Sequence, residues 1–193
     1  SDAAGYTSFK ARPTFGGSDE SWFVGYNNAD ATFSGKLIAK SVTKVGTGNW
    51  TIKGNENTSS ITVKEGKLTI FNLSGSATTG TMTIGKTATL TGSGTTNSIV
   101  AQSGSILQPG LTEKAIGTIN TKSNVIMQNG ATFIVNVGAS SNSKLNVNGS
   151  IFTMAGNDTI VIAPQDGRTF IVGEKLTLFP GTKPASGWII KST

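Results

Sequence analysis

The sequence predicts an all-β chain wound as a single-stranded parallel β-helix, or β-solenoid, and three observations lead there. The first is a recurring phrase in which alternating apolar residues meet a glycine and the alternation then resumes. It reads Ile61-Thr62-Val63-Lys64-Glu65-Gly66-Lys67-Leu68-Thr69-Ile70, returns from Met82 through Gly85 to Leu90, and returns again from Ile99 through Gly104 to Leu107. The second is spacing. Gly66, Gly85, Gly104, Gly130 and Gly149 recur at equal intervals, save for a longer one between Gly104 and Gly130. A repeat of about twenty residues with strand-type alternation inside it marks stacked coils. The third is composition: 28 Thr, 21 Ser and 25 Gly stand against 13% charged residues. That mixture favours short strands and tight turns and is poor in strong helix formers.

The elements follow in chain order. Seven of the fourteen aromatic residues fall in the first 33 positions (Tyr6, Phe9, Phe15, Trp22, Phe23, Tyr26 and Phe33), and none lies between Phe71 and Phe133. Residues 1–35 are therefore expected to form an aromatic-rich N-terminal cap, because an open terminal rung offers unpaired backbone to other chains. The competing use is a carbohydrate-stacking platform at Trp22, Phe23 and Tyr26. Residues 36–179 are read as the rungs. They open with Leu37-Ile38 and Val42-Thr43-Lys44-Val45, and Trp50 falls at an inward position, read as core or rung-edge packing with a sugar platform as the alternative for it and for Trp188. They continue through Thr118-Ile119, Val125-Ile126-Met127, Thr132–Val137, Leu145-Asn146-Val147 and Ile151-Phe152. The last are Thr159-Ile160-Val161-Ile162, Phe170-Ile171-Val172-Gly173 and Leu176-Thr177-Leu178-Phe179. Residues 180–193 are the C-terminal edge, expected to be cut from a longer chain, with Trp188 starting a further strand or covering the last rung.

One unit works simply. Successive strand side chains point to opposite faces, so Ile61 and Val63 go inward and Thr62 outward. Glycine turns the corner, and the next strand sends Leu68 and Ile70 inward. A single unit buries too little to stand alone, and stacking supplies the missing partners. Seven or eight levels about 4.8 Å apart would make a rod of roughly 35–40 Å.

Composition also excludes functions. Cysteine and histidine are absent, so disulfides, cysteine-based zinc sites and a histidine-based triad are excluded. The net charge is +6, but 14 of the 16 basic residues are dispersed lysines. Clustered arginine with interleaved aromatics, the pattern of a nucleic-acid surface, is missing, so no nucleic-acid partner is expected. No apolar run reaches the length of a membrane-spanning helix, so no such segment is expected. The chain starts at Ser1, which reads as a processed or excised form.

Several segments carry a family likeness. Val42-Thr43-Lys44-Val45-Gly46-Thr47-Gly48-Asn49-Trp50-Thr51-Ile52-Lys53-Gly54-Asn55 resembles the passenger-associated repeat of bacterial autotransporter proteins. Gly66-Lys67-Leu68 resembles the short strand that follows it in that repeat. Gln108-Pro109-Gly110 with Gly117-Thr118-Ile119 resembles its proline-glycine corner, and Ser143–Gly149 resembles its later strand. Glu56-Asn57-Thr58-Ser59-Ser60 replaces the Tyr-Ser-Gly element usual there. The resemblance covers about residues 36–179. It implies a right-handed parallel β-helix on a bacterial surface, used for adhesion or display more often than for catalysis. It supplies no catalytic residues.

Other signals suggest chemistry. Gly80-Thr81-Met82-Thr83-Ile84-Gly85-Lys86-Thr87 matches the phosphate-loop pattern, yet it lacks the helix that must follow and reads as strand. Gly156-Asn157-Asp158-Thr159 resembles one copy of a calcium-binding β-roll repeat. Asp19-Glu20 is the only adjacent acidic pair, and Asp166 with Arg168 is the best base-and-cation pair, read as a surface turn. Triplets for N-glycosylation at Asn49, Asn57, Asn72, Asn148 and Asn157 match what chance supplies in so Asn-, Ser- and Thr-rich a chain.

The sequence therefore points to a non-enzymatic structural or adhesive segment of a secreted or cell-surface bacterial protein. Host proteins or glycans are the expected partners, with end-to-end self-association as a further contact. No catalytic, metal or cofactor site is expected. The alternatives are the catalytically silent part of a β-helix polysaccharide lyase or hydrolase, and a glycan-binding module.

Overall fold

The computed structural model describes residues 8–9, 14–15, 18–54, 56–71, 80–112, 114–149, 151–165, 167–184 and 188–192, of which 8–9, 14–15, 56–57, 188 and 192 by backbone alone. Among them there is no helix. Every strand pairing is parallel. The antiparallel contacts are two isolated bridges, Gly92 with Gly110 and Val137 with Asn142. Each pairing joins segments one coil apart in the chain: Val42 meets Ile61, Ile99 meets Val125, and Val125 meets Phe152. This is the arrangement of a β-solenoid.

Three ladders run along the column. The first joins Ser21–Val24, residues 41–44, 60–63 and 81–84, then Ser98–Ala101, Val125–Met127 and Phe152–Met154. The row Trp22, Val42, Ile61, Met82, Ile99, Val125, Phe152 stays in register along it. The second joins Ser8–Phe9, Ala31–Phe33, Asn49–Ile52, residues 67–70 and 89–92, Ile106–Pro109, Thr132–Val137, Asp158–Pro164 and Trp188–Ser192. Its row is Ala31, Trp50, Leu68, Leu90, Leu107, Phe133, Ile160, Ile190. The third joins Gly94–Thr96, Thr118–Thr121 and Lys144–Val147, and lower in the column Thr14–Phe15 with residues 36–37 and 37–39 with 56–58.

The two long rows are the core. Ile61, Met82 and Ile99 are buried in the first, and Leu68, Leu90, Leu107 and Phe133 in the second. Trp50 is buried as the alternation requires. Burial of each such side chain contributes roughly 1.5–3 kcal/mol. Above them Phe179 packs on Phe133 and Phe152, with ring centroids 5.3 and 5.0 Å away. The ends differ from the middle: Ile190 continues the second row yet is 64% exposed.

Glycine fixes the turn between the first and second ladders. Gly46 and Gly66 have φ of 73° and 70°. A Cβ on Gly46 would stand 2.1 Å from the Gly25 carbonyl oxygen, and one on Gly66 2.4 Å from that of Gly46. Both the backbone angle and the space between coils therefore demand glycine. Gly104 and Gly130 repeat this corner with positive φ, whereas Gly85 lies inside the continuous strand Thr81–Gly92. Gly149 is a correction to the periodic reading. It lies between Lys144–Val147 and Phe152–Met154, at the corner between the third and first ladders. The segment 138–143 lengthens that coil, so the regular interval lands on a different corner.

Ala31–Phe33 pairs with residues 50–52, and Trp188–Ser192 pairs with residues 158–162. Tyr6 lies outside the described residues, as do the side chains of Phe9, Phe15 and Trp188.

Two substitutions test the inward assignment. Ile84→Ala is expected to lower stability by about 2–5 kcal/mol, and outward Thr83→Ala by less than about 0.5 kcal/mol, read from urea midpoints. Equal losses would contradict the assignment.

Candidate functional site

The connections between the second and third ladders are longer in the upper coils than in the lower ones. Ser93 alone links Thr81–Gly92 to Gly94–Thr96. Later coils carry residues 110–117 and 138–143 at the same corner, and residues 165–177 lead from Asp158–Pro164 to Leu178, whose carbonyl accepts the third-ladder Leu145 N–H at 3.0 Å. These insertions account for the longer intervals between paired strands above Gly104. Insertion at a corner leaves the stacked strands undisturbed, so loops can grow there at little cost to the core.

The loop bases are held by buried polar side chains. Gly92 and Gly110 exchange backbone hydrogen bonds at 2.8 and 2.7 Å. The Asn136 amide donates to the Ala115 carbonyl at 2.8 Å, and the Ser143 hydroxyl donates to the Pro109 carbonyl at 2.6 Å. Asn142 donates to the carbonyls of Ser143 and Thr177 at 2.8 and 2.9 Å, which joins two successive loops. Such groups must be paired when buried, so they specify one loop conformation.

Two of these loops carry exposed apolar side chains. Leu111 and Ile116 are exposed on the lower loop, and on the upper one Ile171 is 75% and Val172 fully exposed beside Phe170. Beneath that tip Arg168 pairs with Glu174 and lies 5.2 Å over the Phe170 ring centre. The Glu174 N–H donates to the Ile171 carbonyl at 3.0 Å, closing the turn. The periodic reading took Phe170-Ile171-Val172 for strand. The structure corrects it: Thr159–Ile162 already fills the second ladder in that coil. The visible signal was three consecutive apolar residues between Gly167 and Gly173, which is not alternation.

The aromatic start separates. Phe23 and Tyr26 are 51% and 61% exposed, with ring centroids 6.3 Å apart and planes tilted by 32°. Trp22 turns the other way and packs against the core.

The remaining chemical signals dissolve into the fold. The phosphate-loop pattern is strand, with Met82 and Ile84 fully buried. Asp166 lies outside the described residues, and its expected partner Arg168 pairs with Glu174. Asp19 and Glu20 lie exposed before the first ladder. Among the described residues no three acidic side chains converge to hold a metal.

Two buried titratable groups have roles the sequence did not indicate: Lys44 reads there as part of a strand and Asp158 as part of a calcium-type turn. The Lys44 ammonium donates to the carbonyls of Val45, Gly46 and Glu65 at 2.9, 2.6 and 3.3 Å. Burial holds it below the usual lysine range, while the charges of Glu65 and Asp30 pull the other way. The Asp158 carboxylate accepts the Ala131 N–H at 3.0 Å and the Ala155 N–H at 2.6 Å. Burial raises it above the usual range, opposed by hydrogen bonds from the backbones of Ala155, Ala131 and Gly130.

The Asp158 shift has a sign that can be measured. A raised folded value means the folded chain holds the proton more tightly, so this group adds stability as pH falls through that value toward the ordinary 3.8. The unfolding free energy of wild type minus that of Asp158→Asn is expected to rise between neutral pH and pH ~4. A flat difference would contradict the burial.

No protein-family model matches the chain, and no curated protein matches it.

Proposed function

We propose that this chain is a non-enzymatic scaffold that displays loops for contact with a host surface protein or glycan. The observation that carries this reading is the ordered apolar tip at Phe170, Ile171 and Val172, raised on loops at one corner of a rigid column. A column supplies a stiff support whose loops vary without disturbing its core. The parent protein is a secreted or cell-surface bacterial β-helix protein of the autotransporter passenger type, a reading supported by the repeat-like segments from Val42 to Gly149. The coils wind right-handed, as parallel crossovers do in nearly all cases. The aromatic start closes the first rung, a role that suits inward Trp22.

A second reading rests on Phe23 and Tyr26. Their adjacent exposed rings suit stacking on a sugar.

One experiment separates the two. Wild type, Ile171→Ser/Val172→Ser and Phe23→Ser/Tyr26→Ser are titrated against immobilised host matrix proteins and a glycan panel. The loop variant is expected to lose at least tenfold in affinity, about 1.4 kcal/mol, with its unfolding midpoint unchanged. Loss confined to the Phe23 and Tyr26 variant would favour the sugar platform. Binding untouched by either would overturn both readings.

A further inference from the structure

The outer face of the first ladder carries two columns of side chains, one on each side of the inward row that holds Val42, Ile61 and Met82. One column is Phe23, Thr43, Thr62, Thr83, Val100, Ile126, and the other is Ser21, Ser41, Ser60, Thr81, Ser98, all in register from coil to coil. Successive coils thus present the hydroxyl pairs Ser41 with Thr43, Ser60 with Thr62, and Thr81 with Thr83. The members of a pair are about 6.6 Å apart along the strand, and successive pairs are about 4.8 Å apart. Neither column contains a charged residue. Exposed charge stands at the margins instead, with Glu20 and Lys40 on one side and Lys64 on the other.

The polar groups of this face are less engaged than those of the other two. On the second ladder Thr69 and Thr91 are buried, and their hydroxyls donate to the Asn49 side chain and to the Gly110 carbonyl. On the third, the Asn146 amide donates to the Asn120 side-chain oxygen at 3.0 Å. On the first, the serine column ties parts of itself together: Ser41 donates to Ser21 at 2.8 Å and Ser98 to Thr81 at 3.0 Å. The threonine column does not. Thr43, Thr62 and Thr83 are half-buried, and among the described residues their hydroxyls make no hydrogen bond.

The ends of the threonine column are apolar. Phe23 takes the next position below Thr43, exposed beside Tyr26. Above Thr83 come Val100 and then Ile126, which is 41% exposed. From Phe23 to Ile126 the column runs about 24 Å and, with its neighbour, is about 6.6 Å wide. Such a strip is far below the roughly 800 Å² that each partner buries in a stable protein contact, so it suits a narrow ligand.

We propose that this strip binds a neutral, linear glycan of the cellulose type, laid along the column axis with one end stacked on Phe23 and Tyr26. The proposal rests on the sugar-stacking reading of those two rings and extends it over the next three coils. A ribbon of this kind is flat and straight, with C–H groups on its faces and hydroxyls along its edges. It advances by nearly one coil spacing per sugar. The aromatic rings take a C–H face. The threonine hydroxyls, which both donate and accept, meet the sugar hydroxyls. No charge on either column has to be stripped of water. The β-branched threonines on paired strands have little rotamer freedom left to lose, so the strip is ordered before the ligand arrives.

The test is calorimetric titration with cellohexaose, cellobiose and the glucuronate counterpart of cellohexaose, which is the same ribbon with a carboxylate on each sugar. Wild type is compared with Thr43→Val/Thr62→Val/Thr83→Val. That variant loses the three hydroxyls but keeps the side-chain shape and strand preference, so its urea midpoint is expected to be no lower. Wild type is expected to bind cellohexaose at least tenfold more tightly than cellobiose, which is too short to leave the rings, and at least tenfold more tightly than the glucuronate ribbon. The triple variant is expected to bind cellohexaose no more tightly than cellobiose. Equal affinity of wild type for the two neutral sugars, or a gain with length that survives in the triple variant, would overturn the strip and leave the ring platform standing. Equal binding of the glucuronate ribbon would overturn the neutral ligand class. No binding of cellohexaose would overturn the strip, while the glycan panel with Phe23→Ser/Tyr26→Ser decides the platform separately.

Discussion

Registered stacking of one coil on the next is the constraint on which everything else depends. Each coil holds a few inward residues, such as Ile61, Val63, Leu68 and Ile70, and these gain most of their contacts from the coils above and below. The outward partners Thr62 and Thr83 hold the same register without entering the core. A slip of one residue would turn every inward side chain out, so alternation makes the register unique. The glycine corner enforces it a second time, because Gly46 and Gly66 sit where adjacent carbonyls leave no room for a side chain.

That constraint also decides where variation is tolerated. The paired strands repeat with little change, while the corner before the third ladder ranges from Ser93 alone to residues 165–177. Each added loop needs its backbone satisfied, and Asn136, Asn142 and Ser143 do this from buried positions. Ordered loops are the result, two of them with exposed apolar side chains. The same logic explains why buried charge is found at turns rather than inside the rows. Lys44 reaches carbonyls that the corner exposes, and Asp158 reaches N–H groups that the opposite end of such a corner exposes. Both hydrogen-bond to backbone groups at or beside the corners.

Much of the architecture was legible in the residues. Alternation around Gly66 placed Ile61, Val63, Leu68 and Ile70 inward, and Trp50 with them, because period-two burial is a local property. What misled was counting across insertions. Gly149 follows Gly130 at the interval that separates Gly66 from Gly85 but belongs to another corner, and Phe170–Val172 looks like a strand although its coil already has one. Hydrophobicity alone does not tell a core strand from an exposed tip, since both are short apolar runs. The aromatic start shows the same limit: Trp22, Phe23 and Tyr26 are close in sequence, yet strand alternation sends Trp22 inward and Phe23 outward. The roles of Lys44 and Asp158 depend on backbone groups contributed by other coils, such as the Glu65 carbonyl and the Ala131 N–H. No local pattern carries that information.

Disulfide trapping tests the stacking most directly, because the chain has no cysteine to interfere. Thr62 and Thr83 are registered partners on adjacent coils, whereas Thr43 and Thr83 are separated by the coil that carries Thr62. Cysteines placed at 62 and 83 should oxidise readily to a cross-link within one chain, since registered neighbours fall within the usual disulfide span of about 4.4–6.8 Å between Cα atoms. Cysteines at 43 and 83 should not. Cross-linking of the second pair as fast as the first, or of neither, would contradict a column of coils in this register.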